Sequence, residues 1–266
     1  ARVRGSVLAD LITSARPGWV LPRAGLELSR LVVSGGLDLS AASVSAPLTF
    51  LDATFEAKTT AEADTASEAD ATAERYGASA ATGTADERAP GEALVLRDAR
   101  LAGLAIQASR IAGAVIADRV EVTGNLLIGE TDIAGAVQAR AAVIGGAFAL
   151  EANVVGAGGV AMHAAGMRVA GPMVLRRSTF RGAVSMHRVR LGGGLQAEDA
   201  TFDSESVRAL DLTGAACSGD LVVERARVEG GLVLAGARVE GHVMARGLVV
   251  GDAGCGKSRL VHEFLA

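Results

Sequence analysis

The sequence predicts an all-β fold, a right-handed parallel β-helix with coils of about 22 residues. Glycines recur every ten or eleven positions, apolar residues alternate between them, and no stretch shows a sustained helical stripe. Aromatic residues make up 3% of the chain while 50% of its residues are hydrophobic. Such a composition suits a narrow interior of stacked Val, Leu, Ile, Ala and Met better than an enzyme cleft shaped by aromatic rings.

The repeat is marked by glycine positions and by the apolar residues that follow each glycine. Apolar residues come two, usually four, and then about seven and nine positions after the glycine, as in Leu232, Leu234, Ala237 and Val239 after Gly230. Period-two pairs indicate very short strands, and the glycines indicate bends, where unusual backbone angles are tolerated. Two repeats close one coil, and coils stack at about 4.8 Å. The repeat glycines are Gly103, Gly113, Gly124, Gly135, Gly146, Gly171, Gly182, Gly193, Gly219, Gly230 and Gly241.

Residues 1–57 are predicted to hold an N-terminal cap and the first coils. The alternation is visible from Leu26 to Ala57. Residues 3–15 read as a short amphipathic helix that ends before Pro17. Because the end of a solenoid exposes unpaired strand groups, we expect this helix to cap the rod.

Residues 58–93 separate these first coils from the main β-helix, which we assign to residues 94–250. The segment is rich in Ala, Thr, Glu and Asp, with Tyr76 as its single aromatic residue, and has no apolar face to bury. It is predicted to be a disordered insertion at a coil corner. A transient alanine-rich helix and an acidic arm that binds a partner are the alternatives to a solvated spacer.

Residues 251–266 carry a different signal. Gly251, Gly256, Lys257 and Ser258 fit the phosphate-binding loop pattern G-x-x-x-x-G-K-[ST], and SRLVHEFL after it predicts a C-terminal helix. The residues just before the loop, Leu248 to Val250, also fit the last strand of the solenoid. A nucleotide-hydrolysing domain needs an acidic residue on a second strand and a residue that orients water. No hydrolysis is expected from these 266 residues.

Other classes of function find little support in the residues. The net charge is −4 with scattered arginines, which does not predict nucleic-acid binding. Cys217 and Cys255 make neither a disulfide framework nor a metal site, and the four histidines lack ligand spacing. The acidic pair Glu198 and Asp199 lies in a turn that could hold a cation weakly, although an exposed loop is the simpler interpretation. No catalytic or metal residues are assigned.

Membrane and export signals are not found either. No apolar run approaches the ~18 residues of a membrane span, and the first residues lack the apolar core of a signal peptide. We therefore expect a cytoplasmic location.

Two resemblances follow from these residues. The segments VRGSVLADLI and LELSRLVVSGGLDLSAASVSAPLTFLDATFE, with the G-x-[VL]-x-[LM] repeats, resemble an actinobacterial family related to pentapeptide-repeat solenoids, over almost all of residues 1–250. That resemblance implies a low-aromatic right-handed β-helix. Some members are labelled oxidoreductases, but no motif here carries that chemistry.

The second resemblance concerns the tail. VVGDAGCGKSRLVHEFLA is similar to the first strand, loop and helix of the STAND and LuxR-like regulatory ATPases. It implies that the backbone at Gly251, Gly254 and Gly256 approaches the phosphates of ATP. Lys257 would reach the β and γ phosphates, and Ser258 would hold Mg²⁺.

The sequence therefore predicts a non-catalytic scaffold that binds a protein partner of unknown identity. The alternative is a sensor or regulatory domain in front of a signalling ATPase. Open solenoid ends also leave an end-to-end homodimer as an expectation.

Overall fold

The computed structural model describes residues 1–13, 21–58, 91–204, 206 and 208–251, and they form a parallel β-solenoid. Every strand pair in the rod is parallel and joins one coil to the next; Leu104 pairs with Leu126, and Leu126 with Phe148. The 22-residue coil predicted from the glycine spacing is thus confirmed. The coil has four faces, which we number 1 to 4 in chain order, with strands numbered from the N-terminus.

Faces 1 and 4 are separate sheets of nine and eight strands. Face 1 consists of β2 (Leu26–Ser29), β6 (Leu48–Leu51), β10 (Leu104–Gln107), β14 (Leu126–Gly129), β18 (Phe148–Glu151), β21 (Met173–Val174), β24 (Leu195–Gln196), β28 (Leu221–Val222) and β32 (Val243–Met244). Face 4 consists of β5 (Ser43–Val44), β9 (Arg100–Leu101), β13 (Glu121–Val122), β17 (Val143–Ile144), β20 (Arg168–Val169), β23 (Arg190–Leu191), β27 (Ala216–Cys217) and β31 (Arg238–Val239).

Faces 2 and 3 are joined into one sheet because two long strands run across the corner between them. Face 2 consists of β1 (Arg2–Arg4), β3 (Val32–Ser34), β7 (Thr54–Phe55), β11 (Arg110–Ile111), β15 (Asp132–Ile133), β19 (Val154–His163), β22 (Thr179–Ser185), β25 (Thr201–Asp203), β29 (Arg227–Glu229) and β33 (Val249–Val250). Face 3 consists of β4 (Leu37–Asp38), β8 (Glu92–Val95), β12 (Ala114–Ile116), β16 (Val137–Gln138), the second halves of β19 and β22, β26 (Leu210–Asp211) and β30 (Leu232–Val233).

Each strand of face 1 opens one coil, so the structure describes about nine coils, the first beginning at β2 and the last at β32. At the usual separation of strands the stack is roughly 40 Å long. The coils are tied by main-chain hydrogen bonds; the N–H of Leu104 donates to Asn125 O and the N–H of Leu126 to Ala147 O, both at 3.0 Å. A continuous stack of coils is the result.

The interior follows the repeat pattern closely. In the repeat that begins at Gly124, Leu126, Ile128 and Ile133 are at most 3% exposed. All five phenylalanines in the described ranges are inside, each at most 1% exposed: Phe50, Phe55, Phe148, Phe180 and Phe202. Cys217 is buried as well, so its side chain acts as a small apolar residue of the core.

One interior position departs from the prediction. Six or seven residues after the glycine, where an apolar residue was expected, four successive coils place Ser109, Thr131, Asn153 and Ser178. The N–H of Thr131 donates to Asn153 Oδ1 at 2.8 Å, and the N–H of Asn153 donates to Ser178 Oγ at 3.1 Å. These side chains satisfy buried main-chain groups at the corner between faces 1 and 2.

The repeat glycines serve a purpose other than the predicted one. Most, Gly135 among them, have ordinary φ angles, and the left-handed conformation occurs six positions later, as at Arg119 (φ 54°) and Ala141 (φ 54°). The glycines are needed because a side chain would meet the preceding coil; a Cβ on Gly135 would lie 2.5 Å from the Ala114 nitrogen.

The N-terminal cap is confirmed, with different bounds. Helix α1 spans Gly5–Ile12 and places Leu8 and Ile12 in the core, at 2% and 0% exposed. Arg2–Arg4, expected in part to be helical, instead form β1 and pair with β3. This short strand extends face 2 by one row beyond the first coil.

Coils longer than 22 residues have their additional residues at one corner, between faces 2 and 3. The coil that starts at Phe148 has 25 residues and the one that starts at Leu195 has 26, judged from their face 1 partners Met173 and Leu221. The long insertion enters the second coil at the same corner.

The long insertion is narrower than predicted. Lys58 donates its N–H to Glu92 O at 2.9 Å, and β8 begins at Glu92, so Lys58 and residues 91–93 belong to the solenoid. Residues 59–90, and with them most of the segment predicted to be disordered, lie outside the described residues.

Candidate interaction surfaces

The predicted phosphate-binding loop is described only at its first residue. Val249 and Val250 form β33 and pair with Arg227 and Val228, as the solenoid register of the tail had indicated. Gly251 follows and donates its N–H to Val228 O at 3.1 Å. The other predicted contacts to ATP and Mg²⁺, Gly254, Gly256, Lys257 and Ser258, lie outside the described residues, as does the predicted C-terminal helix. The nucleotide site therefore stays a prediction.

Ionisable side chains of successive coils lie close together just after the strands of face 3. Asp118 is 1% exposed and accepts hydrogen bonds from the main-chain N–H and the guanidinium of Arg140, one coil away. Burial acts to raise the pKa of Asp118, but these hydrogen bonds and the charge of Arg140 outweigh it and hold the pKa below its ordinary value. Asp118 is consequently ionised in the folded protein.

Further along the rod lies a histidine–carboxylate pair. His187 Nε2 is 3.1 Å from Asp211 Oδ2, and Arg208 Nη1 is 3.3 Å from the same oxygen. Burial acts to raise the pKa of Asp211, but hydrogen bonds from Thr213 and the neighbouring positive charges keep it below the ordinary value. Asp211 is only 2% exposed, so its charge is neutralised by these partners.

Ser185 lies between His163 and Asp211 in the register of face 3. The fold brings two histidines, His163 and His187, near Ser185 on face 3. A nucleophilic serine must hydrogen-bond to its base, and in the described part of the chain no hydrogen bond joins the Ser185 hydroxyl to His163 or His187. His187 and Arg208 therefore form a polar cluster around the buried carboxylate of Asp211.

In the turn at Glu198 and Asp199, the Asp199 carboxylate is paired with an arginine, whereas Glu198 Oε2 is buried and has no hydrogen-bond partner in the described part of the chain. Asp199 accepts from Arg225 Nε at 2.7 Å and from Nη2 at 2.8 Å. Within the described ranges, no group of three or more His, Cys, Asp or Glu side chains is placed to hold a metal ion.

Four exposed arginines lie along the second half of the rod, on face 4 and at its corner with face 3. They are Arg168, Arg188, Arg190 and Arg238, and we call them the arginine face. Arg168 and Arg190 are direct register partners in β20 and β23. The column continues through Ala216 to Arg238. None of the four forms an ion pair with any carboxylate that the structure describes.

A groove runs along this face. It has a volume of about 400 Å³ and is open to solvent; its floor includes Gly145, Ala170, Gly192 and Ser218, one from each of four coils. Arg168 and Arg190 line it, together with Val143, which is 42% exposed. A second hollow of about 260 Å³ adjoins it and is lined by Arg188, Arg190 and Arg238. Sequence reasoning missed this surface, although the 22-residue spacing of Arg168 and Arg190 was a signal for it.

Comparisons of this chain with protein-family models, with curated proteins and with solved structures give no match. The fold itself is consistent with a pentapeptide-repeat-like solenoid, while the actinobacterial and ATPase resemblances gain no support from the comparisons. Among the described residues, no helix has the length and apolar character needed to cross a bilayer.

Replacing Asp118 by Asn should destabilise the protein and flatten its acid response. Because the folded-state pKa of Asp118 lies below the unfolded value of about 3.9, its ionised form stabilises the fold above that pH, and the effect is lost as pH falls through the folded pKa. At pH 7 the free energy of unfolding should fall by about 1–3 kcal/mol, and the gap from wild type should close below about pH 4. Urea unfolding at several pH values measures this; a gap that stays constant down to about pH 2 would rule the explanation out.

Proposed function

We propose that this chain is a non-catalytic scaffold that binds partner proteins along the sides of its solenoid. The observation that carries the proposal is the set of continuous faces, formed by strands that stack in register over about nine coils. Repeat proteins of this shape offer extended binding surfaces whose parts are held rigidly relative to one another. The surface hollows on face 4 are open grooves, which suits a docked polypeptide better than an enclosed small molecule.

Site-specific photo-cross-linking tests this function. A photoreactive amino acid is placed at one outward position on each face, Leu127, Thr201, Gln138 and Ala216, in cells that make the protein. A binding scaffold should yield adducts of defined mass from one face or two adjacent faces and few from the others. Equal, nonspecific labelling from all four faces, or none, would contradict the proposal.

A second candidate function is a regulatory domain that precedes a signalling ATPase. The favouring observation is the strand β33, which leads directly into Gly251 and the loop pattern that ends at Ser258. In this proposal ATP and Mg²⁺ bind at Gly251, Gly254, Gly256, Lys257 and Ser258. No observation favours the oxidoreductase label, and we do not propose it.

Calorimetric titration with Mg·ATP tests the second candidate. Wild type should bind, Lys257→Ala should lose binding, and Lys58→Ala should retain it, because Lys58 is paired with Asp38 at 2.7 Å in the second coil. A wild-type chain that takes up no Mg·ATP would contradict this candidate.

For the scaffold we also propose a cytoplasmic location and an end-to-end homodimer, as the sequence predicts. Val243, in the last described coil, is 47% exposed although its register partner Leu221 is buried, which supports contact with another surface at that end; Val249, on the adjacent side face, is 51% exposed. Sedimentation equilibrium of wild type and a Val243→Glu, Val249→Glu double variant tests the dimer; equal monomeric mass for both would contradict it.

A further inference from the structure

We propose that the arginine face is the docking site for an extended, acidic segment of a partner protein. The inference rests on the proposed scaffold function and specifies the face and the chemistry of the partner. It is carried by the unbalanced charge of face 4, by the groove beside that charge and by the absence of described aromatic rings from the surface.

The charge of the arginine face differs from that of the rest of the rod. Several other arginines, including Arg100 in the first half of face 4, face carboxylates of the adjacent coil: Arg100 Nε lies 3.1 Å from Glu121, Arg119 Nε lies 2.6 Å from Asp98, and Arg225 Nε lies 2.7 Å from Asp199. In the second half of face 4, Arg168 instead faces Arg190 directly. Like charges opposite each other destabilise a sheet. The arrangement therefore opposes folding, and a bound anion would relieve it.

In the three coils of face 4 that carry β20, β23 and β27, no described outward carboxylate compensates for these charges. In the three coils with β20, β23 and β27, the outward residues of face 4 are Arg168, Ala170, Arg190, Gly192, Ala216 and Ser218. Glu240 follows only in the next coil, two residues beyond Arg238. An acidic ligand is the complement that this surface lacks.

The groove gives the ligand's main chain a place to lie. Its floor of Gly145, Ala170, Gly192 and Ser218 has no long side chain. An extended chain places alternate side chains about 6.7 Å apart on one side, and the coils present arginines at steps of about 4.8 Å. Flexible arginine side chains span that difference and can hold carboxylates in paired hydrogen bonds. Val143, exposed at one end, offers an apolar contact.

The same charges suit a protein partner better than a nucleic acid. Single-stranded nucleic acids bind by stacking bases on aromatic rings in addition to charge contacts. The phenylalanines that the structure describes are all buried, so they offer no stacking platform. The chain as a whole carries a charge of −4, which repels a long polyphosphate.

Fluorescence anisotropy with a labelled (Glu-Ser)₅ peptide tests the proposal on the full chain. Wild type should bind the peptide, with an affinity that falls as salt is raised. An Arg168→Gln, Arg190→Gln double variant should bind about tenfold more weakly, since two exposed charge pairs are lost. The matched control is Arg110→Gln on face 2, which removes an exposed arginine away from the groove and should leave the affinity unchanged. A (Lys-Ser)₅ peptide should not bind.

Several outcomes would overturn the proposal. Equal binding to wild type and the double variant, or no binding at peptide concentrations up to about 1 mM, would remove the docking site. Equal or tighter binding of a ten-residue oligothymidylate would reassign the face to nucleic acid. A further variant replaces the acidic residues of the insertion by Gln or Asn, namely Glu62, Asp64, Glu68, Asp70 and Glu74. If this variant binds the peptide more tightly than wild type, the chain's own acidic segment competes for the arginine face and is its occupant. If the peptide does not bind while cross-links form from another face, the scaffold function is supported and only the proposed docking site on the arginine face is wrong.

Discussion

Gly135→Val should destabilise the solenoid strongly, because position 135 has no room for a side chain. A Cβ there would lie 2.5 Å from the Ala114 nitrogen and 2.7 Å from Ala114 Cα, both main-chain atoms of the preceding coil. To make room, the two coils must separate, which strains the hydrogen bonds from Gly135 N to Gly113 O (3.1 Å) and from Val115 N to Ala136 O (2.9 Å). Overpacking and two weakened hydrogen bonds should together cost about 3–5 kcal/mol.

The matched control is Gly129→Ala in β14. A Cβ on Gly129 would meet only Glu151 O, at 3.7 Å, and the residue has no left-handed φ. Its free energy of unfolding in urea should stay within about 0.5 kcal/mol of wild type. Similar losses for the two variants would show that close stacking of coils at the glycines does not hold the rod together.

Phe180→Ala should have a comparable effect through the core. Phe180 is 0% exposed, and its ring stacks on that of Phe202 one coil away, with centroids 5.3 Å apart and planes at 4°. Removing the ring leaves a cavity in a narrow interior that has few ways to collapse. The expected loss is about 3–5 kcal/mol, which includes the stacking contribution.

Thr179→Ala supplies the comparison, since Thr179 is the adjacent, half-buried residue of the same strand and points away from the core. It should change the free energy of unfolding by less than about 0.5 kcal/mol. A loss below about 1 kcal/mol for Phe180→Ala would show that the ring does not belong to the packed interior.

Much of the fold was predictable because period-two alternation and a fixed repeat follow from simple geometry. The inward positions of the repeat at Gly124, the 22-residue coil and the capping role of α1 all follow from the sequence. The polar interior residues were missed because an apolar pattern treats Asn153 or Thr131 as an interruption. Their burial makes sense only once the corner's main-chain N–H groups are seen to need acceptors.

The role of the glycines shows a second limit of predicting structure from the sequence alone. Sequence reasoning assigned them to bends with unusual angles, yet Arg119, Ala141 and their counterparts adopt those angles instead. What excludes a side chain at Gly135 is the main chain of the neighbouring coil, and that contact joins residues 21 or 22 positions apart. Local sequence rules do not include such contacts.

The candidate surfaces were harder to predict than the fold. The loop pattern at Gly251 to Ser258 is local, so the sequence alone revealed it. To predict the arginine face, one must know which residue of the adjacent coil lies opposite each arginine. Because the coils have 22, 25 or 26 residues, that depends on the three-dimensional register. Arg190 and Ala216, for instance, are 26 positions apart because of the extra residues between faces 2 and 3.

The register that builds the arginine face is the central claim, and disulfide trapping tests it most directly. In a Cys217→Ala, Cys255→Ser background, cysteines are placed at Arg168 and Arg190, which are register partners. Neighbouring strands bring such Cα atoms about 4.8 Å apart, within disulfide range, whereas Arg168→Cys with Ala216→Cys spans two coils, about 9.6 Å. Under mild oxidation the first pair should close an intramolecular disulfide, seen by mass spectrometry, and the second should stay reduced. Closure of the second pair, or failure of the first, would contradict the stacking on which the scaffold and its arginine face depend.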